Sequence, residues 1–163
     1  MLLPDVLRAL AAGETVGEIV VVAGAHPLEG LSNSLLQSPI SLRVVSCSDW
    51  PAGPGASLRC GLAALAPEAD AALVVLADGP DLDPRAIERV VAAWRSGAGD
   101  LLAASYDGTR GHPLLLARPA WTDVPDEGLR AREPVLVPCD DLRAPGDVDR
   151  PDDLPGRLRE GES

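Results

Sequence analysis

Four short stretches carry residue types suited to phosphate and metal chemistry. Ala71-Ala-Leu-Val-Val-Leu-Ala-Asp78 is an apolar run that stops on an acid, with Gly79-Pro80 directly behind it. An acid at the carboxyl end of a buried parallel strand points into the crevice where open α/β sheets bind ligands. Gly53-Pro-Gly-Ala-Ser57 is a glycine loop at a helix start, suited to receiving an anion or lying against a nucleobase through its backbone amides. Gly111-His112-Pro113 follows a tight turn, and Asp147-Val-Asp149 brings two acids near the C-terminus. Asp78 and an acid of the Asp147-Val-Asp149 loop can share one Mg²⁺, which keeps most of its waters and takes one or two protein carboxylates. Each stretch also has a plainer reading. The acids are solvated loop residues or helix caps, Ser57 is an N-cap in a connecting loop, and His112 is an exposed turn histidine.

The elements that must position these residues alternate between helix and strand. A helix is expected over residues 2–12, striped by Leu3, Val6, Leu7 and Leu10 and closed by Gly13. Strands are expected over 18–23, 42–46, 73–77, 101–106, 112–117 and 134–138. Helices are expected over 26–37, 57–65 and 84–96, with Ser57 and Asp83 as N-caps and Pro84 at a first helical position. Shorter helical pieces fall at 119–124 and 127–132, and a turn into a terminal helix starts at Pro145. This alternation predicts a mostly parallel sheet covered on both faces, and Asp107-Gly108 predicts a hairpin that adds one antiparallel strand.

A chain of 163 residues fits one domain, and no internal repeat or linker divides it. Phe is absent, so the core must be built from Ala, Val and Leu. There is no Lys; all fourteen basic residues are Arg. A net charge of −11 argues against nucleic-acid binding, which rests on neutralising phosphates. Cys47, Cys60 and Cys139 are odd in number and lack CxxC spacing, so three thiols in a reducing cytoplasm are expected rather than a disulfide or a zinc site. The start Met-Leu-Leu-Pro-Asp has no basic segment of the signal-peptide kind, and no apolar run reaches membrane-span length.

Taken together, Gly55-Ala-Ser-Leu-Arg-Cys-Gly61, Leu76-Ala-Asp-Gly-Pro80, Tyr106-Asp-Gly-Thr-Arg-Gly-His-Pro113 and Gly146-Asp-Val-Asp-Arg-Pro-Asp-Asp-Leu154 resemble, in order and spacing, the molybdenum cofactor cytidylyltransferase-like proteins. These are related to the molybdopterin guanylyltransferases among the GT-A-like nucleotidyltransferases. The resemblance runs from Leu2 to Leu154 and implies a Rossmann-like three-layer α/β sandwich. It also implies transfer of CMP or GMP, from CTP or GTP, to a pterin phosphate, with release of pyrophosphate. It makes Asp78 the catalytic Mg²⁺ ligand with Asp149 as partner, puts Gly55, Ser57 and Asp78 around the nucleotide, and puts Gly111 and His112 at the acceptor side. Such chemistry fits those residue types, since attack on an α-phosphoryl group needs its charge neutralised.

The match departs from the family at its start. The family opens with a strand and a Gly-x-Gly-x-Arg-x-Gly-x-Pro-Lys loop that holds the triphosphate, and this chain shows neither. Gly79 stands where Gln is usual, Pro54 where Met is frequent, and Arg150 where Thr is common. The sheet is therefore expected to lack the family's first strand. The 163 residues are expected to be either an N-terminally trimmed nucleotidyltransferase, inactive as written, or a non-catalytic module that binds the cofactor or a molybdoenzyme partner. A haloacid-dehalogenase-like phosphatase built on Asp78 is disfavoured, because that chemistry wants Asp-x-Asp-x-Thr/Val and Gly-Pro-Asp follows here.

Overall fold

In a computed structural model the chain is described over residues 3–26, 28, 31, 39–79 and 81–145. Helix α1 (Leu3–Ala11) buries Val6, Leu7 and Leu10 along one stripe. Strands β1 (Glu18–Ala23) and β2 (Ser41–Ser46) run parallel, in register from Glu18↔Ser41 to Ala23↔Ser46. The 3-10 turn Trp50–Ala52 leads into α2 (Pro54–Ala64). Next come β3 (Ala71–Val74), α3 (Pro84–Arg95), β4 (Leu101–Tyr106) and β5 (Thr109–Ala117). A second 3-10 turn, Arg118–Ala120, and β6 (Val135–Pro138) follow. The expected helix over 26–37 and the expected terminal turn and helix lie largely or wholly outside the described residues.

The fold is mixed α/β and consistent with a Rossmann-like class, with two corrections to the expected sandwich. First, the strands form two sheets, β1-β2 and β3-β5-β4-β6, rather than one. Among the described residues β1 pairs only with β2 and β3 only with β5, so no continuous central layer forms. Second, the larger sheet is mixed. β5 is its one reversed strand, but it lies between β3 and β4, so both of its ladders are antiparallel and only β4-β6 is parallel. The turn dictates this arrangement. Asp107 (φ 54°) and Gly108 (φ 77°) form a two-residue reversal whose twist sends β5 straight back along β4.

Local chemistry sets several ends. β3 stops at Val74, short of the expected Ala77, because the next residue opposite it in register is Pro113, which has no N–H to give. Asp83 caps α3 as expected: its carboxylate accepts from the Arg85 N–H at 2.9 Å, with Pro84 in the first turn. α2 begins earlier than expected, at Pro54 with Gly53 as cap, so Ser57 sits inside the first turn and is no cap.

Side chains alternate across the larger sheet. Leu102, Ala104 and Leu115 join α1, α3 and β1 in one cluster, while Ala103, Leu114 and Leu116 join Leu62 of α2, Val124 and Leu129 in another. Cys47 and Cys60 form a disulfide with Cα atoms 5.9 Å apart, against the expectation of free thiols; Cys139 is free and buried. Their separation of 13 residues hides that the end of β2 and the second turn of α2 are neighbours.

Candidate functional site

Asp78 does not follow a strand directly. It is exposed in a turn four residues beyond Val74, and no ion pair reaches it among the described residues. Asp81 of the same turn pairs with Arg143 at 3.4 Å, and Gly79 packs against Pro145. Val75, Leu76, Gly79, Leu82, His112 and Pro145 line a crevice of about 10 Å³, room for about one water. The fold thus gathers the Asp78 turn, the start of β5 and the chain leading toward Asp149. Asp149 itself lies outside the described residues.

His112 is half-buried in β5, and its carbonyl accepts the Tyr106 hydroxyl at 2.7 Å. Burial, and secondarily the nearby Cys139, pushes the Tyr106 phenol up to about 12. Gly111 has a packing reason to be glycine: a β-carbon there would lie 2.9 Å from the Tyr106 ring. Its residue type is thus accounted for by the tyrosine.

Gly55 and Ser57 lie at the start of α2, and no hydrogen bond or ion pair among the described residues joins them to the Asp78 turn. The glycines there admit a turn of the same chain. A β-carbon at Gly55 would fall 1.6 Å from the Pro125 carbonyl oxygen, and Gly53 holds a φ of 134° against Asp126. The Gly55 N–H donates to the Asp126 carbonyl at 2.8 Å, so the amide the sequence offered to an anion already has a protein partner. Arg59 ties down the same turn, donating to the Val124 carbonyl at 2.7 Å and the Asp126 carboxylate at 2.5 Å.

Sequence reasoning missed Asp126, Arg59, Arg143 and Tyr106. Pro125-Asp-Glu-Gly128 is itself a turn signature, absorbed into the helix expected over 127–132. The Asp81–Arg143 pairing spans the fold and leaves no local trace. An open concavity of about 760 Å³, bordered by Glu14, Glu88 and Arg95, contains none of the candidate residues. Among the described residues no group of three or more His, Cys, Asp or Glu is placed to hold a metal, and no helix is long and apolar enough to cross a membrane.

This is the arrangement of a nucleotidyltransferase-like α/β protein, with an acidic turn after a core strand and a glycine-opened helix packed beside it. Residues 1–133 match the MobA-like NTP transferase domain, and the chain belongs to that family. No curated protein matches it. Among solved structures it is similar to a homologue of Mycobacterium tuberculosis Rv0371c from Mycobacterium sp. strain JC1, with 21% identity and a TM-score of 0.65 over 98% of this chain and 82% of that one. It is also similar to Rv0371c of M. tuberculosis H37Rv, at 22% identity and a TM-score of 0.60 over 98% and 84%. A manganese complex of Rv0371c aligns at 21% identity and a TM-score of 0.58 over 91% and 82%. At these identities the structures support the fold.

Proposed function

We propose that the chain is a nucleotidyltransferase of the molybdopterin type, built to bring CTP or GTP together with a pterin phosphate. The observation that carries the reading is the gathering of the Asp78 turn, His112 and Pro145 around one crevice in a chain of this family. Asp78 fits a divalent ion: it is an exposed oxygen donor without an ion pair, whereas Asp81 beside it is partnered by Arg143. Asp78 and Asp149 would hold Mg²⁺ or Mn²⁺, consistent with the manganese bound by the Rv0371c structure. Such an ion, when bound, supplies charge neutralisation on the phosphates. The chain's own residues bind and orient: the start of α2 lies along the nucleotide, and Gly111 and His112 border the acceptor. The 163 residues alone do not complete the transfer, since within them no lysine and no basic glycine loop balances the triphosphate.

A second reading, a non-catalytic module that binds the cofactor or a molybdoenzyme partner, is favoured by one feature. The Gly55 amide is already spent on Asp126. Thermal unfolding with CTP, GTP and ATP, with and without Mg²⁺, tests for the nucleotide site. A ligand at about 100 times its Kd adds roughly 2.7 kcal/mol of stability. A metal-dependent shift with CTP or GTP and no pyrophosphate release is expected. Pyrophosphate release would overturn the inactivity, and no shift with any nucleotide would sink the site.

A further inference from the structure

The Cys47–Cys60 disulfide closes over one segment of the chain, and that segment contains the glycine loop Gly53–Ser57. Its two anchors are held independently of the bond. Cys47 is buried and its N–H donates to the Ala23 carbonyl at 2.9 Å; Cys60 sits in α2, whose Leu62 is core. Cutting the bond therefore leaves the fold its anchors and removes the covalent tie across the loop between them, so that the Gly55 hydrogen bond and the Arg59 contacts alone hold it on the 125–128 turn. The two residues differ in access. Cys60 is partly exposed, while Cys47 is 2% exposed with its Sγ 3.6 Å from the Ala56 carbonyl, an acceptor ready for a thiol.

We infer that Cys47–Cys60 is a reversible thiol–disulfide exchange site that controls access to the glycine loop. The oxidised form locks the first turn of α2 on the 125–128 turn, with the Gly55 N–H spent on Asp126; the reduced form lets it open to a nucleotide. The reductant is a dithiol. Its thiolate attacks the Cys60 sulfur, the S–S bond breaks, and Cys47 leaves as a thiolate that takes a proton. The reductant's second thiolate then resolves the mixed disulfide, so two electrons pass to the two cysteines and the dithiol leaves as a cyclic disulfide. The nucleotide part of this inference rests on the function proposed above; the loop part does not.

The full chain is compared before and after treatment with dithiothreitol, without denaturant. Alkylation with mass readout counts thiols, amide exchange follows residues 53–57, and titration with Mg-CTP and Mg-GTP reads affinity. Reduction is expected to free Cys47 and Cys60, speed exchange at 53–57 by about tenfold, and tighten nucleotide binding by about threefold or more. Cys60→Ser should behave as the reduced form and ignore dithiothreitol, whereas Cys139→Ser should keep the response. A bond that resists dithiothreitol in the folded chain, or equal exchange in both forms, overturns the inference. Faster exchange with equal affinities overturns the control of binding. Faster exchange with no nucleotide bound by either form supports the loop lock and places the failure on the nucleotide reading.

Discussion

Tyr106 is the only tyrosine of the chain, so its ionisation can be read directly by ultraviolet absorbance. Burial is expected to hold its midpoint near 12, well above the ordinary 10.0. The sign follows from linkage: a raised folded value gives stability that is present below pH 10 and is lost as pH climbs toward 12. Tyr106→Phe should remove that alkaline loss and cost about 1 kcal/mol at neutral pH, because the hydrogen bond to the His112 carbonyl goes with the hydroxyl. A midpoint at the ordinary value would show the ring is not packed over Gly111. Gly55 makes the second residue-scale case. Gly55→Ala drives a methyl group into the Pro125 carbonyl, so a loss of about 1–3 kcal/mol in denaturant unfolding is expected. An unchanged midpoint would mean the 125–128 turn does not rest on α2.

Elements were legible where local chemistry decides them. β1 and β4 fall on the expected residues, the Asp107-Gly108 hairpin forms, and Asp83-Pro84 starts α3. Asp83→Ala should cost about 1 kcal/mol by removing the cap. The Arg85 hydrogen bond lowers the Asp83 carboxyl below its ordinary 3.8, so its contribution is present above that value and fades as pH falls through the lower folded value. Urea unfolding of both chains at pH 7 and pH 2.5 checks this: the difference between them should shrink at the lower pH. What was not legible depends on long-range partners. The early end of β3 is set by Pro113 across the ladder, the early start of α2 by the turn at 125–128, and the disulfide by the approach of β2 and α2. Of the candidate site, the turn that carries Asp78 and His112 meet at one crevice, and the hold of the 125–128 turn on Gly55 left no local trace in the sequence.

At the scale of the whole molecule the core belongs chiefly to the larger sheet. Leu102, Ala103, Ala104 and Leu116 are fully buried, while β2 is largely exposed at the edge of a separate two-stranded sheet. Amides of β4 and β5 should therefore exchange slowest and those of β2 markedly faster; the reverse order would contradict the division of the strands. The arginines serve the fold as much as charge balance. Arg110, Arg118 and Arg132 donate to backbone carbonyls of the irregular segments around the hairpin, holding non-repetitive chain in place without a helix or strand to do so. That scaffold leaves Asp78 exposed on its turn, and the account stands or falls on what this carboxylate binds. The most direct measurement is calorimetric titration of Mg-CTP and Mg-GTP, repeated with Mn²⁺, into the reduced chain and into Asp78→Asn. Asp78 is exposed, so the substitution should leave stability unchanged within about 0.5 kcal/mol. Metal-dependent binding of at least one nucleotide, weakened about tenfold or more by Asp78→Asn, is the predicted result. Binding that ignores both the metal and the substitution, or no binding at all, would contradict it.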